Sequence, residues 1–275
     1  MIPEVQAVLL GVVEGLTEFL PVSSTGHLIV AERLIGYQDT GKVFTIVVQL
    51  GAILAVVWFY GRQLWDKVSG LLRGRPTARR FWLHLIVASL PAALVGLLFE
   101  QAIKAALFSP LTVAITLILG GVILWWVETL PQVRASAQTT LPELDSITLK
   151  QAVVIGVAQA VAVIPGVSRS GASIVGGLLT GLNRVTATAF SFFMGIPVLG
   201  GAGLYSLYKA RDTLGSVTGG STALGLGTLV AFITALLSIS WLLRYVSAHS
   251  FKGFAIYRVG LGLFVLLLLA LGVMQ

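Results

Sequence analysis

The sequence predicts an all-α polytopic membrane protein with six transmembrane helices plus two re-entrant helical hairpins in an inverted-topology repeat. Three observations predict it. First, 56% of the 275 residues are hydrophobic and 11% are charged, whereas soluble domains carry roughly 25% charged residues. Second, six stretches are long and apolar enough to span a bilayer, which takes about 20 mostly apolar residues. Third, two further apolar stretches are each cut near the middle by Pro, Ser and Gly, and a fixed offset superimposes them.

The chain opens on the first interrupted stretch, at about 4–36, broken between Pro21 and Gly26. Full spans follow at about 43–60, 82–99 and 110–128. The second interrupted stretch, at about 149–183, is broken between Pro165 and Gly171, and spans at about 186–207, 223–243 and 254–273 complete the chain. Irregular backbone at membrane depth persists only where protein or a water-filled cavity satisfies its polar groups, so both breaks are expected to line a site. An offset of 145 positions lays Gly11-Val12 on Gly156-Val157, Val22-Ser23 on Val167-Ser168, Gly26 on Gly171 and Ile29-Val30 on Ile174-Val175 without a gap. The expected organisation is a first repeat over 1–130, a linker over 131–147 and a second repeat over 148–275. Paired interrupted segments of this kind mark the binding site in many membrane folds.

Lys and Arg set the expected orientation. The connection at 61–81 holds Arg62, Lys67, Arg73, Arg75, Arg79 and Arg80, and two alternate connections hold Arg134 with Lys150 and Arg244 with Lys252 and Arg258. The loops between them hold fewer, Lys104 in one and Lys209 with Arg211 in the other. The basic set is expected in the cytoplasm, which puts both termini outside and the two Ser-rich turns entering from opposite faces. The net charge of +7 therefore serves topology, and no nucleic-acid partner is expected because the basic residues form no face with interleaved aromatics. With no Cys, disulfides and thiolate metal sites are excluded. No basic region precedes the first apolar stretch, so no cleaved signal peptide is expected. Trp58, Trp65, Trp82, Trp125 and Trp126 fall near span ends, as an interfacial belt does.

The first break reads Glu14-x-x-x-Glu18-x-x-Pro21-Val-Ser23-Ser24-Thr25-Gly26-His27. The i, i+4 spacing sets both acids on one helical face, and an ionisable group in a membrane segment is a functional-site hypothesis by default. The hydroxyls and backbone N–H groups of Ser23, Ser24, Thr25 and Gly26 open a second short helix, which is anion-binding geometry. The second break reads Pro165-Gly166-Val-Ser168-Arg169-Ser170-Gly-Ala-Ser173. Arg169 presents a permanently charged fork of donors suited to phosphate, and Gly166, Ser168, Ser170 and Ser173 surround it in sequence. Gln159 stands at the position of Glu14, and Ala172 at that of His27. A base-bearing half thus faces an anion-binding half.

These motifs resemble the bacterial undecaprenyl pyrophosphate phosphatase family, also called the bacitracin-resistance phosphatases, over essentially the full chain. The resemblance rests on Glu14 with Glu18, the Pro21–His27 turn, the Pro165–Ser170 run and Phe254-Ala-Ile-Tyr-Arg258. Ser173 departs from the Thr usual there and keeps its hydroxyl. The Lys-x6-Arg-Pro pattern of the other lipid phosphatase superfamily is not met. The resemblance implies hydrolysis of undecaprenyl pyrophosphate to undecaprenyl phosphate, a site open to the outer face of the bacterial inner membrane, and a role in cell-wall synthesis. It also implies bacitracin resistance, since bacitracin sequesters the substrate, and a divalent cation, Mg or Ca. It leaves a homodimer open.

The expected mechanism has Arg169, with Ser168 and Ser170, clamping the pyrophosphate while Ser24 attacks as nucleophile. Glu18 or His27 would take its proton, and Glu14 would orient Glu18 or share a metal ion with it. Direct attack by water is an open variant. A lipid-phosphate transporter or flippase using the same midplane anion site is the alternative.

Overall fold

The computed structural model describes residues 1–39, 42–135, 142–209, 211 and 217–273, with only the backbone described for Glu100, Gln101 and Lys104. Residues 136–141 of the expected linker lie outside this set. The described residues form helices and no strands. Helices α1 (Pro3–Thr17) and α2 (Ser24–Ile35) make the first hairpin, and α8 (Leu149–Ala160) with α9 (Arg169–Leu179) makes the second. Both breaks fall where Pro and Gly interrupt the apolar pattern.

Spanning helices α3 (Val43–Phe59), α5 (Pro76–Leu107) and α6 (Pro110–Val127) follow the first hairpin, with α4 (Gly61–Leu72) and the short α7 (Pro131–Ala135) between and after them. Helices α10 (Arg184–Gly195), α11 (Gly201–Lys209), α12 (Gly220–Ala248) and α13 (Lys252–Ala270) follow the second. Five described segments are long and apolar enough to cross a membrane, or six if α3 and α4, bent by 72°, count as one. All six expected spans are therefore present as helices. The protein is a multi-pass membrane protein, and its exterior agrees: Trp58, Leu97 and Leu98 are 75%, 69% and 72% exposed, a cost in water that lipid removes.

Pro197 does not end its span. The chain passes from α10 through a π-helical turn at Ile196–Gly200 into α11; the wider turn absorbs the missing N–H. In the interior, Phe19, Phe190, Phe192 and Phe193 are fully buried. Phe193 meets Tyr60 and Phe81 at centroid separations of 4.6 and 5.3 Å, and Phe19 meets Phe192 edge-on at 5.2 Å.

The two hairpins lean on each other's spans. Helix α1 packs on α12, and α8 packs on α5. Gly11 and Gly156, which correspond under the 145-residue offset, permit these approaches. A Cβ on Gly11 would stand 2.5 Å from the Gly227 carbonyl oxygen, and one on Gly156 would stand 2.5 Å from that of Ala88. Small residues at such crossings let backbones close up where no hydrophobic force drives helices together. A buried ion pair closes one end of the bundle. Arg184 at the start of α10 reaches Glu128 at the end of α6, and Glu128 also accepts the Phe251 N–H at 2.9 Å.

Candidate active site

Each break ends in the same turn. Ser23 and Ser168, paired by the offset, both take φ of 72°, with ψ of 95° and 112°. Non-Gly residues rarely adopt positive φ, and here the strain comes with a matched cap. The Ser23 hydroxyl accepts the Gly26 N–H at 3.3 Å and the Ser168 hydroxyl accepts that of Gly171 at 3.1 Å. Gly166, at φ of 87°, supplies a further sharp bend in the second turn. Matching Ser conformations thus place Ser24 and Arg169 at corresponding first positions of α2 and α9.

These two residues meet over Glu18. The Ser24 hydroxyl donates to Glu18 Oε2 at 2.6 Å, and Arg169 Nη2 reaches Glu18 Oε1 at 3.2 Å. All three are largely buried, the Arg169 and Glu18 side chains to 8% and 4% exposure, so solvent screens their attraction little. Arg169 is braced from behind: Nη1 donates to the Ser191 carbonyl at 2.7 Å, and the ring of Phe19 lies 6.0 Å from the guanidinium carbon. The Ser191 hydroxyl accepts from Ser173 at 2.7 Å. Gln49 approaches Glu18 Oε2 at 3.5 Å.

A cavity of about 120 Å³ opens over this cluster, bounded by Glu18, Ser23, Ser24, Thr25, Gly166, Ser168 and Arg169 and closed by Gln49, Phe108 and Leu199. Leu199 comes from the π-helical turn. The other expected phosphate ligands stand back from the cavity. Ser170, fully buried, donates to the Leu20 carbonyl at 2.8 Å and so ties one turn to the other. Ser173 bonds the Arg169 carbonyl at 2.9 Å, and Gly26 serves its cap.

His27 points elsewhere. Its Nδ1 lies 2.7 Å from the Ser23 carbonyl and its Nε2 lies 2.6 Å from the Tyr257 hydroxyl, with the two rings stacked. A carbonyl only accepts, so Nδ1 carries a proton; when the ring is neutral, Nε2 accepts from Tyr257. Both nitrogens are engaged away from Ser24. The outer side of His27 faces an apolar groove of about 390 Å³ with Leu20, Trp241, Tyr245, Phe254 and Tyr257.

Glu14 lies one helical turn before Glu18, 1% exposed, with both carboxylate oxygens buried and unpartnered; Gln159, its counterpart, is equally buried with both amide atoms unpartnered. Among the described residues no three His, Cys, Asp or Glu side chains gather as a metal cage. The donor chemistry still fits a hard divalent ion, which takes one or two carboxylates and completes its shell with substrate phosphate oxygens and water. Glu14 supplies the two uncommitted oxygens. The Ser191 brace on Arg169 was not read from the sequence, where a Ser inside an apolar span was the only signal, and Tyr257, noted only within the Phe254–Arg258 motif, was not assigned its contact with His27.

The chain matches the family model described as Bacitracin resistance protein BacA over residues 7–264. The chain belongs to the BacA family. Its relatives carry concordant names. "Undecaprenyl-diphosphatase 1" of Paraburkholderia xenovorans (strain LB400) is 51% identical over 263 residues, covering 95% of this chain and 94% of that one. "Undecaprenyl-diphosphatase" of Albidiferax ferrireducens is 49% identical over 95% of this chain and 94% of its own, and that of Verminephrobacter eiseniae 48% over 98% and 96%. No BacA relative among these is named as a transporter, and the transport alternative finds no support.

Proposed function

We propose that this protein hydrolyses undecaprenyl pyrophosphate to undecaprenyl phosphate and inorganic phosphate. The observation that carries the reading is the contact of Ser24 and Arg169 with the two oxygens of one carboxylate, Glu18, beside a small polar cavity. A phosphatase needs a nucleophile, a base and a cation within one substrate's reach, and this cluster supplies all three from two hairpins.

Glu18 takes the Ser24 proton as the Ser24 oxygen attacks the terminal phosphorus. The P–O bond to the bridging oxygen breaks, and undecaprenyl phosphate leaves with the electron pair. Arg169, released from Glu18 as that carboxylate becomes neutral, turns its charge on the equatorial oxygens of the transferred group. Ser23, Thr25 and Ser168 complete the anion lining. Water then attacks phosphorus of the phosphoserine, restoring the Ser24 hydroxyl and releasing phosphate. Glu14 and Glu18 would hold a divalent cation, Mg or Ca, which when bound neutralises charge on the pyrophosphate. His27, bonded to the Ser23 carbonyl, steadies the turn that presents Ser24, and this geometry favours Glu18 over His27 as the base.

The family description supports a role in bacitracin resistance, through removal of the lipid that bacitracin sequesters. The family membership supports a bacterial inner-membrane placement with the site open to the outer side, the basic connections other than the buried Arg258 support both termini outside, and the paired turns support two repeats in opposite orientations, over 1–130 and 148–275 with the 131–147 linker in the cytoplasm. The test is phosphate release from undecaprenyl pyrophosphate by detergent-purified protein, with and without EDTA, beside Arg169→Ala. EDTA-sensitive release lost in the folded variant, with a phosphoserine trapped at Ser24, is the expected result; a folded wild type that releases no phosphate overturns the reading.

A further inference from the structure

Arg258 is fully enclosed, at 1% exposure, and takes no part in the steps above. Buried charges are normally paired, yet no carboxylate pairs with this one among the described residues. Its donors all go to main-chain carbonyls. Nη1 donates to Pro21 at 3.1 Å; Nη2 lies 3.1 Å from Gly166, 2.9 Å from Val167 and 3.2 Å from Thr116; Nε lies 3.4 Å from Leu117. Pro21 and Gly166 correspond under the 145-residue offset. One planar guanidinium therefore holds the same backbone atom of each hairpin at the same distance, and anchors both to α6.

The surrounding sequence makes room for it. A Cβ on Gly120 would collide with Nη2, and one on Gly171 would stand 3.0 Å from Nη1. The side chain borders an apolar cavity of about 190 Å³ with Gly120, Gly171 and Val175, and is absent from the lining of the catalytic cavity. Nε and Nη2 give their three N–H groups to four carbonyls and Nη1 gives one of its two to Pro21, so the guanidinium is turned to the backbone of the two turns and α6.

We infer that Arg258 is a positioning residue that fixes the separation of the two turns, and with it that of Ser24 and Arg169. Each of those residues lies three positions beyond a held carbonyl, Ser24 after Pro21 and Arg169 after Gly166. In-line attack needs reacting atoms about 3–3.5 Å apart, and a 1 Å misplacement costs on the order of 100-fold. A lysine cannot substitute, because three donors on one nitrogen do not span carbonyls from two turns and a helix. The inference rests on the reaction proposed above for its kinetic readout.

Two measurements test it on the detergent-purified full chain. In Arg258→Lys, kcat for phosphate release should fall about 100-fold with KM little changed, counted per folded molecule. Guanidinium ion, which the bordering cavity admits, should restore Arg258→Ala while methylammonium does not. Without substrate, amide hydrogen exchange in peptides covering 18–27 and 163–172 should quicken together in Arg258→Lys. If Arg258→Ala does not fold, Gly120→Ala, which drives a methyl group into the guanidinium, should give the same paired change. Wild-type kcat in folded Arg258→Lys, or quickened exchange spread evenly over the molecule, overturns the inference. An inactive wild type instead removes the assigned reaction, and the exchange comparison still decides whether Arg258 holds the turns.

Discussion

Replacing Glu18 by Gln removes a proton acceptor and leaves its volume in place. Oε2 now receives the Ser24 hydroxyl at 2.6 Å and Oε1 receives Arg169 at 3.2 Å; an amide can imitate the first contact as an acceptor but cannot take the proton. A positioned general base contributes about 10²–10⁴-fold, roughly 3–5 kcal/mol of barrier at 1.36 kcal/mol per decade. The same change leaves Arg169 buried without its counter-charge, and breaking a buried pair in this way costs about 3–5 kcal/mol of stability. The discount for exposure is small because the two side chains are only 8% and 4% exposed. The substrate's own phosphate then replaces the lost charge, so binding should hold or tighten. Expected together are a kcat lower by two to four decades, a KM that does not rise, and a thermal midpoint that inorganic pyrophosphate raises more in Glu18→Gln than in wild type. Steady-state phosphate release and thermal unfolding in detergent measure all three. A folded Glu18→Gln with kcat within tenfold of wild type would refute Glu18 as the base.

Three further outcomes follow from the same geometry. Arg169→Lys should lose about 10²–10³-fold in kcat and also raise KM, because one ammonium cannot serve both the Ser191 carbonyl and an anion; kinetics beside a folded-state check reads this. Ser168→Gly should cost a few tenths of a kcal/mol, whereas Ser168→Ala, which keeps the strained φ of 72° without the cap, should cost about 1–2 kcal/mol by thermal unfolding. Glu128→Ala strands Arg184 and the Phe251 N–H, so it should destabilise by about 3–5 kcal/mol while activity per folded molecule is retained.

The spans and both breaks were legible because they depend on local properties. Apolar run length sets α3, α5, α6, α12 and α13, and Pro21, Pro165 and Gly166 mark the turns wherever the rest of the chain lies. The 72° bend between α3 and α4 falls at the expected end of the first span, where Arg62 and Lys67 begin a polar stretch; that this stretch continues as a helix was not legible from its charge. Glu14, Glu18, Ser24 and Arg169 stood out as polar residues in apolar surroundings. The direction of His27 did not, because Tyr257, 230 residues away, decides which side of α2 its ring takes. Ser191 was masked for a related reason: a lone Ser is unremarkable in a span, and only the folded chain brings its carbonyl beneath Arg169.

The offset that relates the hairpins explains why the site needs both. Ser24 and Arg169 occupy one structural position twice, each following a Ser at φ of 72° and each aimed at the same cavity. Two serines there would supply nucleophiles with no charge to hold a pyrophosphate, and two arginines would hold the anion with nothing to attack it while repelling each other in a low-dielectric interior. Glu18 resolves the pairing, since Val163 stands at its position in the second half and only one carboxylate is present to bridge the two. In the proposed reaction this one acid has two jobs, accepting from Ser24 as its base and offsetting the buried charge of Arg169. On that mechanism, transferring the Ser24 proton to Glu18 would end the second job as it completes the first, releasing Arg169 toward the phosphate at the step when negative charge builds there.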